Sequence, residues 1–189
     1  MRSISPSLFT LCFALLFIGC SAVPVLNDSP DPQLQQKYDS AVQLMRQHET
    51  AQAKVLLKQL IDRYPDLAGP HVNMGIIQLT EEDPSAAEQS FNTALQINPG
   101  NLPAHNQLGI ALRMLGRFQE AEHAYLNVLK LEPDYLTAHR NLGILYDLYL
   151  ARPEPALKHY KRCQALSDSP DREIERWVVD LQRRVKSSK

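Results

Sequence analysis

The chain has 189 residues, and its 20 lysines and arginines nearly balance its 21 aspartates and glutamates, leaving a formal net charge of -1. This balance excludes the basic surface that a nucleic-acid-binding protein needs, so we expect no nucleic-acid partner. Of the three cysteines only Cys163 lies beyond residue 20, which excludes a domain stapled by internal disulfides and predicts a fold held by packing.

Residues 1–19 have the layout of a secretory signal peptide. Arg2 gives the start a positive charge, and the apolar run over residues 8–18 is too short to span a bilayer as a stable helix. Phe17-Ile18-Gly19-Cys20 resembles a bacterial lipobox, in which Cys20 becomes the lipidated first residue, although the family usually has leucine where Phe17 stands. The alternative is ordinary cleavage after Ala22, which would give a soluble periplasmic product.

The residues after the cysteine predict where the protein is held. Ser21 resembles the residue found in lipoproteins that are sorted to the outer membrane. The expected localisation is therefore the outer membrane, facing the periplasm, with membrane contact through the lipid anchor only. Residues 20–32 are rich in proline and read as a flexible tether, whose last ten or so residues would reach roughly 30 Å if extended like polyproline.

From residue 33 onward the sequence repeats with a period of 34. Three histidines, each followed four residues later by glycine, have this spacing: His71, His105 and His139. A glycine inside a helix costs about 1 kcal/mol relative to alanine, so three at one register predict a close contact between helices. Alanines mark the partner helix of each pair, and large residues beside them would fill the remaining space. The small residues are Gly75, Gly109, Gly143, Ala53, Ala87, Ala121 and Ala156, and the large ones are Leu57, Phe91, Tyr125 and Tyr160.

This pattern resembles the tetratricopeptide repeat (TPR) family, with Gly109, Ala121, Tyr125 and a terminal Pro133 as its best example. The resemblance implies an all-α fold, a right-handed superhelical solenoid of about four helix pairs over residues 33–169. The units are 33–67, 68–101, 102–135 and 136–169. The first is a poor match, as terminal repeats often are, and the fourth has one extra residue at its inner turn, residues 151–155.

Residues 170–189 contain one amphipathic helix. Its apolar residues, at i, i+3, i+4, i+7 and i+11, are Ile174, Trp177, Val178, Leu181 and Val185. We expect this helix to cap the array, with Trp177 packed over the last repeat.

The sequence contains none of the common catalytic or phosphate-binding motifs, so we expect no enzymatic activity and no cofactor. The periodic histidines are too far apart on successive helices to share a metal ion, and we interpret them as packing residues. We also expect Cys163 to be a core residue, because free cysteines are commonly buried.

Function must then come from the surface. In the TPR family the first helix of each pair lines a concave groove that holds a peptide. The family's groove positions fall here on Val72, Asn73, Ile76, Asn106, Gln107, Ile110, Arg113, Arg140, Asn141 and Ile144. We expect the asparagines to bond a partner's backbone, whereas the isoleucine row is either exposed to a partner or packed between neighbouring first helices. A carboxylate clamp could use only Arg140 and Arg113.

These observations predict a protein–protein interaction scaffold that binds an envelope protein or a peptide segment during envelope assembly or transport. The layout is similar to that of type IV pilus pilotins, although it lacks a diagnostic motif. The alternatives are a soluble periplasmic protein that associates with itself, and an accessory subunit of an energy-transducing transport system. The isoleucine row could also be covered by a second copy in a homo-oligomer, or by the chain's own tether.

Overall fold

A computed structural model describes residues 32–169 and 171–187, all of whose regular elements are helical. The signal peptide, Cys20 and the tether up to residue 31 lie outside the described residues. Nine α-helices follow one another in this part of the chain. They are α1 (Pro32–Arg46), α2 (Thr50–Arg63), α3 (Ala68–Thr80), α4 (Pro84–Ile97), α5 (Leu102–Met114), α6 (Phe118–Leu131), α7 (Leu136–Ile144), α8 (Pro153–Leu166) and α9 (Arg172–Ser187).

The helices pack in consecutive pairs, which confirms the predicted all-α repeat solenoid. Helices α1 and α2, α3 and α4, α5 and α6, and α7 and α8 form four units. The first helix of each later unit also packs against the second helix of the unit before it. No unit buries its apolar residues alone, because the buried residues form three clusters that each span neighbouring units.

Each unit closes where a small residue of the first helix meets a large side chain of the second. A Cβ atom added to Gly109 would lie 2.4 Å from Cε1 of Tyr125, closer than two carbon atoms can approach. Two other units repeat this arrangement, with Gly75 against Phe91 and Gly143 against Tyr160. The first unit has Ala41 and Leu57 at the same register, both fully buried. Leu57 is smaller than the aromatic residues of the other units and thus leaves room for the methyl group of Ala41.

The turn inside each unit contains one residue with a positive φ angle. These residues are His48 (φ 62°), Glu82 (φ 59°), Gly116 (φ 76°) and Ala151 (φ 52°). The left-handed region costs a residue with a Cβ atom roughly 1 kcal/mol or more, so only the third unit has the residue that the turn favours. The spacing is 34, 34 and 35 residues, which places the extra residue of the fourth unit before Ala151.

The fourth unit accommodates its extra residue inside a helix and not in its turn. After α7 the chain continues as a short π-helix, Leu145–Tyr149, whose wider turn takes up one additional residue. The inner turn is therefore residues 150–152, and Pro153 and Pro155 belong to the first turn of α8. The expected turn over residues 151–155 is wrong in this respect, because proline fits the first turn of a helix, where its missing amide has no partner to lose.

Helix α9 covers the end of the stack, as its apolar stripe predicted. Ile174, Val178 and Leu181 are buried against α8, and the ring of Trp177 lies 5.0 Å from that of Tyr160, centroid to centroid. Below this cap Cys163 is buried, and its burial raises the pKa of the thiol to about 11. It is a packing residue, as expected.

Among the helices of the described part of the chain, none has the length and apolar character needed to cross a bilayer.

Candidate functional site

The predicted binding residues lie on the surface formed by α1, α3, α5 and α7, which we call the first-helix face. Its isoleucines, Ile76, Ile110 and Ile144, are half-buried, and each packs against a core cluster with part of its side chain. The two interpretations of this row therefore both hold in part. The inner part of each side chain seals the contact with the core, and the outer part remains accessible.

Two of the predicted asparagines are used inside the protein. Asn106 and Asn141 are buried, at 4% and 8% exposure, and Asn141 Nδ2 donates a hydrogen bond of 2.9 Å to Asn106 Oδ1. The expectation that these amides bond a partner's backbone is wrong for the free protein, because burial obliges them to satisfy one another. Val72, at the same register as Asn106, is buried as well.

Asn73 and Gln107 are the predicted amides that stay half-buried. Asn73 Nδ2 donates to the hydroxyl oxygen of Tyr38 at 3.1 Å, across the contact between α1 and α3. The two side-chain hydrogen bonds, from Asn73 to Tyr38 and from Asn141 to Asn106, each join residues 35 apart and so link successive first helices. Polar residues at this register thus align the units.

Arg140 is engaged by the cap. Its Nη2 donates to Glu173 Oε2 at 2.8 Å, and its guanidinium lies 5.9 Å from the ring centroid of Trp177. The carboxylate clamp considered from the sequence would use Arg113 and Arg140. In the structure the charge of Arg140 is neutralised by the carboxylate of Glu173 in α9.

Arg113 has no such carboxylate among the described residues. Its Nη1 donates to the hydroxyl oxygen of Tyr149 at 3.0 Å, and the guanidinium lies 5.3 Å from that ring's centroid. Its buried Nε and the buried hydroxyl of Tyr125 lack a hydrogen bond of ordinary geometry, but the two groups lie close enough for the arginine's charge to act on the phenol. Burial raises the pKa of Tyr125 to about 12, so the phenol is neutral beside the arginine.

Exposed apolar side chains lie beyond the isoleucine row, at the end of α5 and in the π-helix after α7. Met114 follows Ile110 by four residues, Leu148 follows Ile144 by four, and their side chains are 47% and 70% exposed. Tyr149, 41% exposed, lies next to Leu148 in the π-helix. Sequence reasoning missed these three residues. A row extended by four residues would have included Met114, but the π-helix shifts the register after Ile144, so the repeat period does not place Leu148 and Tyr149.

The periodic histidines close the turns between units. His105 Nε2 lies 2.9 Å from the carbonyl oxygen of Pro99, and His139 Nε2 lies 2.9 Å from that of Pro133. A carbonyl only accepts, so each Nε2 donates. His139 Nδ1 in turn lies 2.9 Å from Nδ1 of His159, whose pKa is lowered to about 4, mainly by burial. In the described part of the chain no three metal-ligating side chains cluster.

Two family models match the sequence, both described as tetratricopeptide repeat, over residues 38–67 and 78–143. No sequence among the curated proteins matches this chain.

Solved structures share the fold at low sequence identity. The pilF protein of Pseudomonas aeruginosa is 22% identical over 82% of this chain and 69% of its own, with a TM-score of 0.73. TTC0263, a thermophilic TPR protein of Thermus thermophilus, is 21% identical over 80% of this chain and 82% of its own, with a TM-score of 0.68. YrrB, a TPR protein with an unusual peptide-binding site, is 20% identical over 75% of this chain and 71% of its own, with a TM-score of 0.62. Repeat register, helix pairing and family models agree, and this chain belongs to the tetratricopeptide repeat family.

Proposed function

We propose that this protein is a non-catalytic scaffold whose first-helix face binds an apolar segment of an envelope protein. The family supports a protein–protein interaction role in general. The observation that carries the specific proposal is the exposed patch of Met114, Leu148 and Tyr149, which extends the half-buried isoleucine row. Exposed apolar side chains beyond a half-buried apolar row favour a partner that covers them.

The composition of the first helices also favours a protein partner. Helices α3, α5 and α7 contain no aspartate or glutamate, so most of the face is apolar or neutral. An extended or helical segment with apolar side chains would fit such a surface, with its specificity set by the few polar residues along it.

The setting we propose is the periplasmic side of the outer membrane, with Cys20 as the acylated first residue. The pilotin-like layout of the sequence supports a role in envelope assembly, since a tethered scaffold would hold an assembling partner near the membrane. The alternatives keep the same face: a soluble periplasmic protein, or an accessory subunit of an energy-transducing transport system.

Site-specific photocrosslinking in cells tests the binding face. We would place a photoreactive amino acid at position 114 and, as a control, at position 126, because Met114 and Leu126 are comparably exposed apolar residues on a first and a second helix. We expect an adduct with one envelope protein from position 114 and none from position 126. Equal adducts from both positions would contradict the proposed face, and adducts of the chain with itself would support a homo-oligomer.

The anchor is tested separately. We expect the wild-type protein to incorporate a labelled fatty acid and to sediment with outer membranes. Cys20→Ser should lose both the label and the membrane fraction while keeping the same helical content. A mature N-terminus after Ala22 with no label would instead identify the soluble alternative.

A further inference from the structure

The first turns of α1 and α3 enclose a small apolar cleft at the N-terminal end of the array. The cleft has a volume of about 180 Å³ and is lined by Leu34, Gln35, Tyr38, Leu67, Gly69 and Pro70. None of these six residues is charged. Small-molecule sites commonly measure roughly 300 Å³ or more, so this cleft suits one or two aliphatic side chains better than a cofactor.

Contacts between α1 and α3 hold the walls of the cleft in place. The hydroxyl oxygen of Tyr38 accepts from Asn73 Nδ2 at 3.1 Å, so its own proton can be donated to a backbone carbonyl. The ring lies against Gly69, where an added Cβ atom would be 2.9 Å from the same oxygen. Leu34 and Leu67 are only half-buried. The cleft is thus preformed, and the exposed parts of its leucines gain from being covered.

The chain itself supplies an apolar segment next to this cleft. Residues 23–26, which lie outside the described residues, read Val-Pro-Val-Leu, and residues 21–27 contain no charged side chain. Proline and β-branched valine favour extended backbone, in which alternate side chains lie on the same side. Pro24 and Leu26 would therefore face the same way, and together they match the apolar lining of the cleft.

The connection between this segment and α1 has the composition and length of a turn. Residues 27–31 read Asn-Asp-Ser-Pro-Asp, and all of these residue types favour turns. Five residues can span roughly 16–18 Å. Leu34 and Gln35, at the near side of the cleft, belong to the first turn of α1. The segment can therefore fold back along α1 and reach the cleft while the described helices stay as they are.

We propose that residues 23–26 bind in this cleft as an extended segment, with Leu26 packed against Leu34 and Leu67. A backbone carbonyl of the segment would accept the hydroxyl proton of Tyr38. The contact lies within one chain, at the end of the array and outside the residues predicted for partner binding, so it is independent of the proposed binding face. Uncharged apolar side chains of the segment and the exposed parts of the cleft leave water together.

The contact changes how the array is held at a membrane. Cleavage before Cys20 or after Ala22 leaves residues 23–26 in the mature chain, so both forms keep the contact. Where Cys20 is the anchor proposed above, only residues 20–22 remain between the lipid and the cleft. Their reach is about 10 Å, against roughly 30 Å for the free tether. The first turns of α1 and α3 then face the membrane.

Photocrosslinking from the tether tests the inference in the full chain in cells. An aliphatic diazirine amino acid at position 26 should form an adduct within the chain, which mass spectrometry should map to residues 34–38 and 67–70. Pro24→Asp adds a charge to the side of the segment that faces the cleft and should lower the yield of this adduct about tenfold. Ser29→Asp adds the same charge to the turn and should leave the yield unchanged. Both substitutions lie outside the described helices.

A substitution in the cleft provides the reciprocal test. Leu67→Gln should also lower the yield of the adduct, and unchanged helical content and melting temperature would show that the array remains folded. A yield that Pro24→Asp and Leu67→Gln leave unchanged would overturn the inference, because the segment would be near the cleft without binding in it.

The other possible occupants and positions give different adducts. An adduct mapped to Ile76 or Ile110 would show that the tether covers the isoleucine row instead. An adduct with twice the mass of the chain would show that the segment binds a second copy. Adducts with lipid alone, or none within the chain, would show that the segment does not bind the array. Each of these results would overturn the inference and leave the proposed binding face to its own test at position 114.

Discussion

The contact between Gly109 and Tyr125 allows the repeat packing to be tested by a double-mutant cycle. The first unit has alanine and leucine at the register where the third has glycine and tyrosine. The large residue of each pair, Leu57 or Tyr125, is fully buried. Gly109→Ala and Tyr125→Leu together would give the third unit the pair that the first unit already has, Ala41 and Leu57. We expect the two changes to be much less harmful together than their separate effects predict.

The structure supports an estimate of each term. Gly109→Ala gains about 1 kcal/mol of helix propensity, but its Cβ would lie 2.4 Å from the buried Tyr125 ring, an overpacking that costs about 2–3 kcal/mol. Tyr125→Leu loses about 2–4 kcal/mol of packing, because the ring is fully buried. In the double variant the overpacking vanishes, so the coupling energy should be about 2 kcal/mol.

Equilibrium urea unfolding of the wild-type chain, both single variants and the double variant measures this coupling. Hydrogen exchange of the amides in α5 and α6 would show whether the third unit alone responds, since repeat arrays unfold partly unit by unit. Gly100→Ala is a control, because a Cβ atom there meets only Asn98 Oδ1, at 3.5 Å. Additive effects, within about 0.5 kcal/mol, would refute the argument that the ring and the glycine occupy one contact.

Three further outcomes follow from the geometry. Burial, and then the charge of the neighbouring His139, lower the pKa of His159 to about 4, below the value of about 6.5 in the unfolded chain, so the unfolded state binds the proton first. The free energy of unfolding should therefore be highest above pH 6.5 and fall by up to about 2 kcal/mol as the pH decreases to 4, an amount already reduced for the ring's partial contact with water. Urea unfolding at several pH values would show this decrease, and His159→Gln should make it smaller. Glu82→Gly should raise the free energy of unfolding by about 1 kcal/mol, whereas Gly116→Ala should lower it by a similar amount, because both turns need a positive φ. Trp177→Ala should lower the free energy of unfolding by about 3 kcal/mol and increase amide hydrogen exchange in α8 and α9 before the other helices. A uniform increase in exchange along the array would contradict the role of Trp177 as a cap.

The fold could be predicted from the sequence because the packing of each helix pair depends on the sizes of two facing residues. A glycine recurs every 34 residues, and an aromatic residue follows it by 16 positions in the second and third units and by 17 in the fourth, which leaves one way to close a helix pair. The first unit lacks both the glycine and the aromatic residue, yet Ala41 and Leu57 obey the same rule, because the larger first-helix residue faces a smaller second-helix residue. Complementary size, more than residue identity, carries the signal.

The binding residues were predicted less well, since register does not determine exposure. Asn73, Asn106 and Asn141 fall in neighbouring groove rows, and an amide there can bond a partner or the next helix equally well. Only the three-dimensional arrangement shows that Asn141 reaches Asn106 and that both are buried. Arg140 looked as free as Arg113 in sequence, because its partner Glu173 belongs to a helix outside the repeat period.

The one-residue insertion of the fourth unit connects the fold to the proposed site. A helix pair could take up an extra residue in its loop, where it would have little effect on the first-helix face. Here the residue enters the helix itself, and the resulting π-helix contains both Leu148 and Tyr149. The same segment contains Asp147, whose carboxylate accepts from Arg184 Nη1 at 2.6 Å and so fastens the π-helix to the cap. A π-helix is less favourable than an α-helix and is common at functional sites, which supports placing the proposed binding face at this end of α7. We therefore expect the regular units to supply a rigid surface and the irregular unit to supply the recognition.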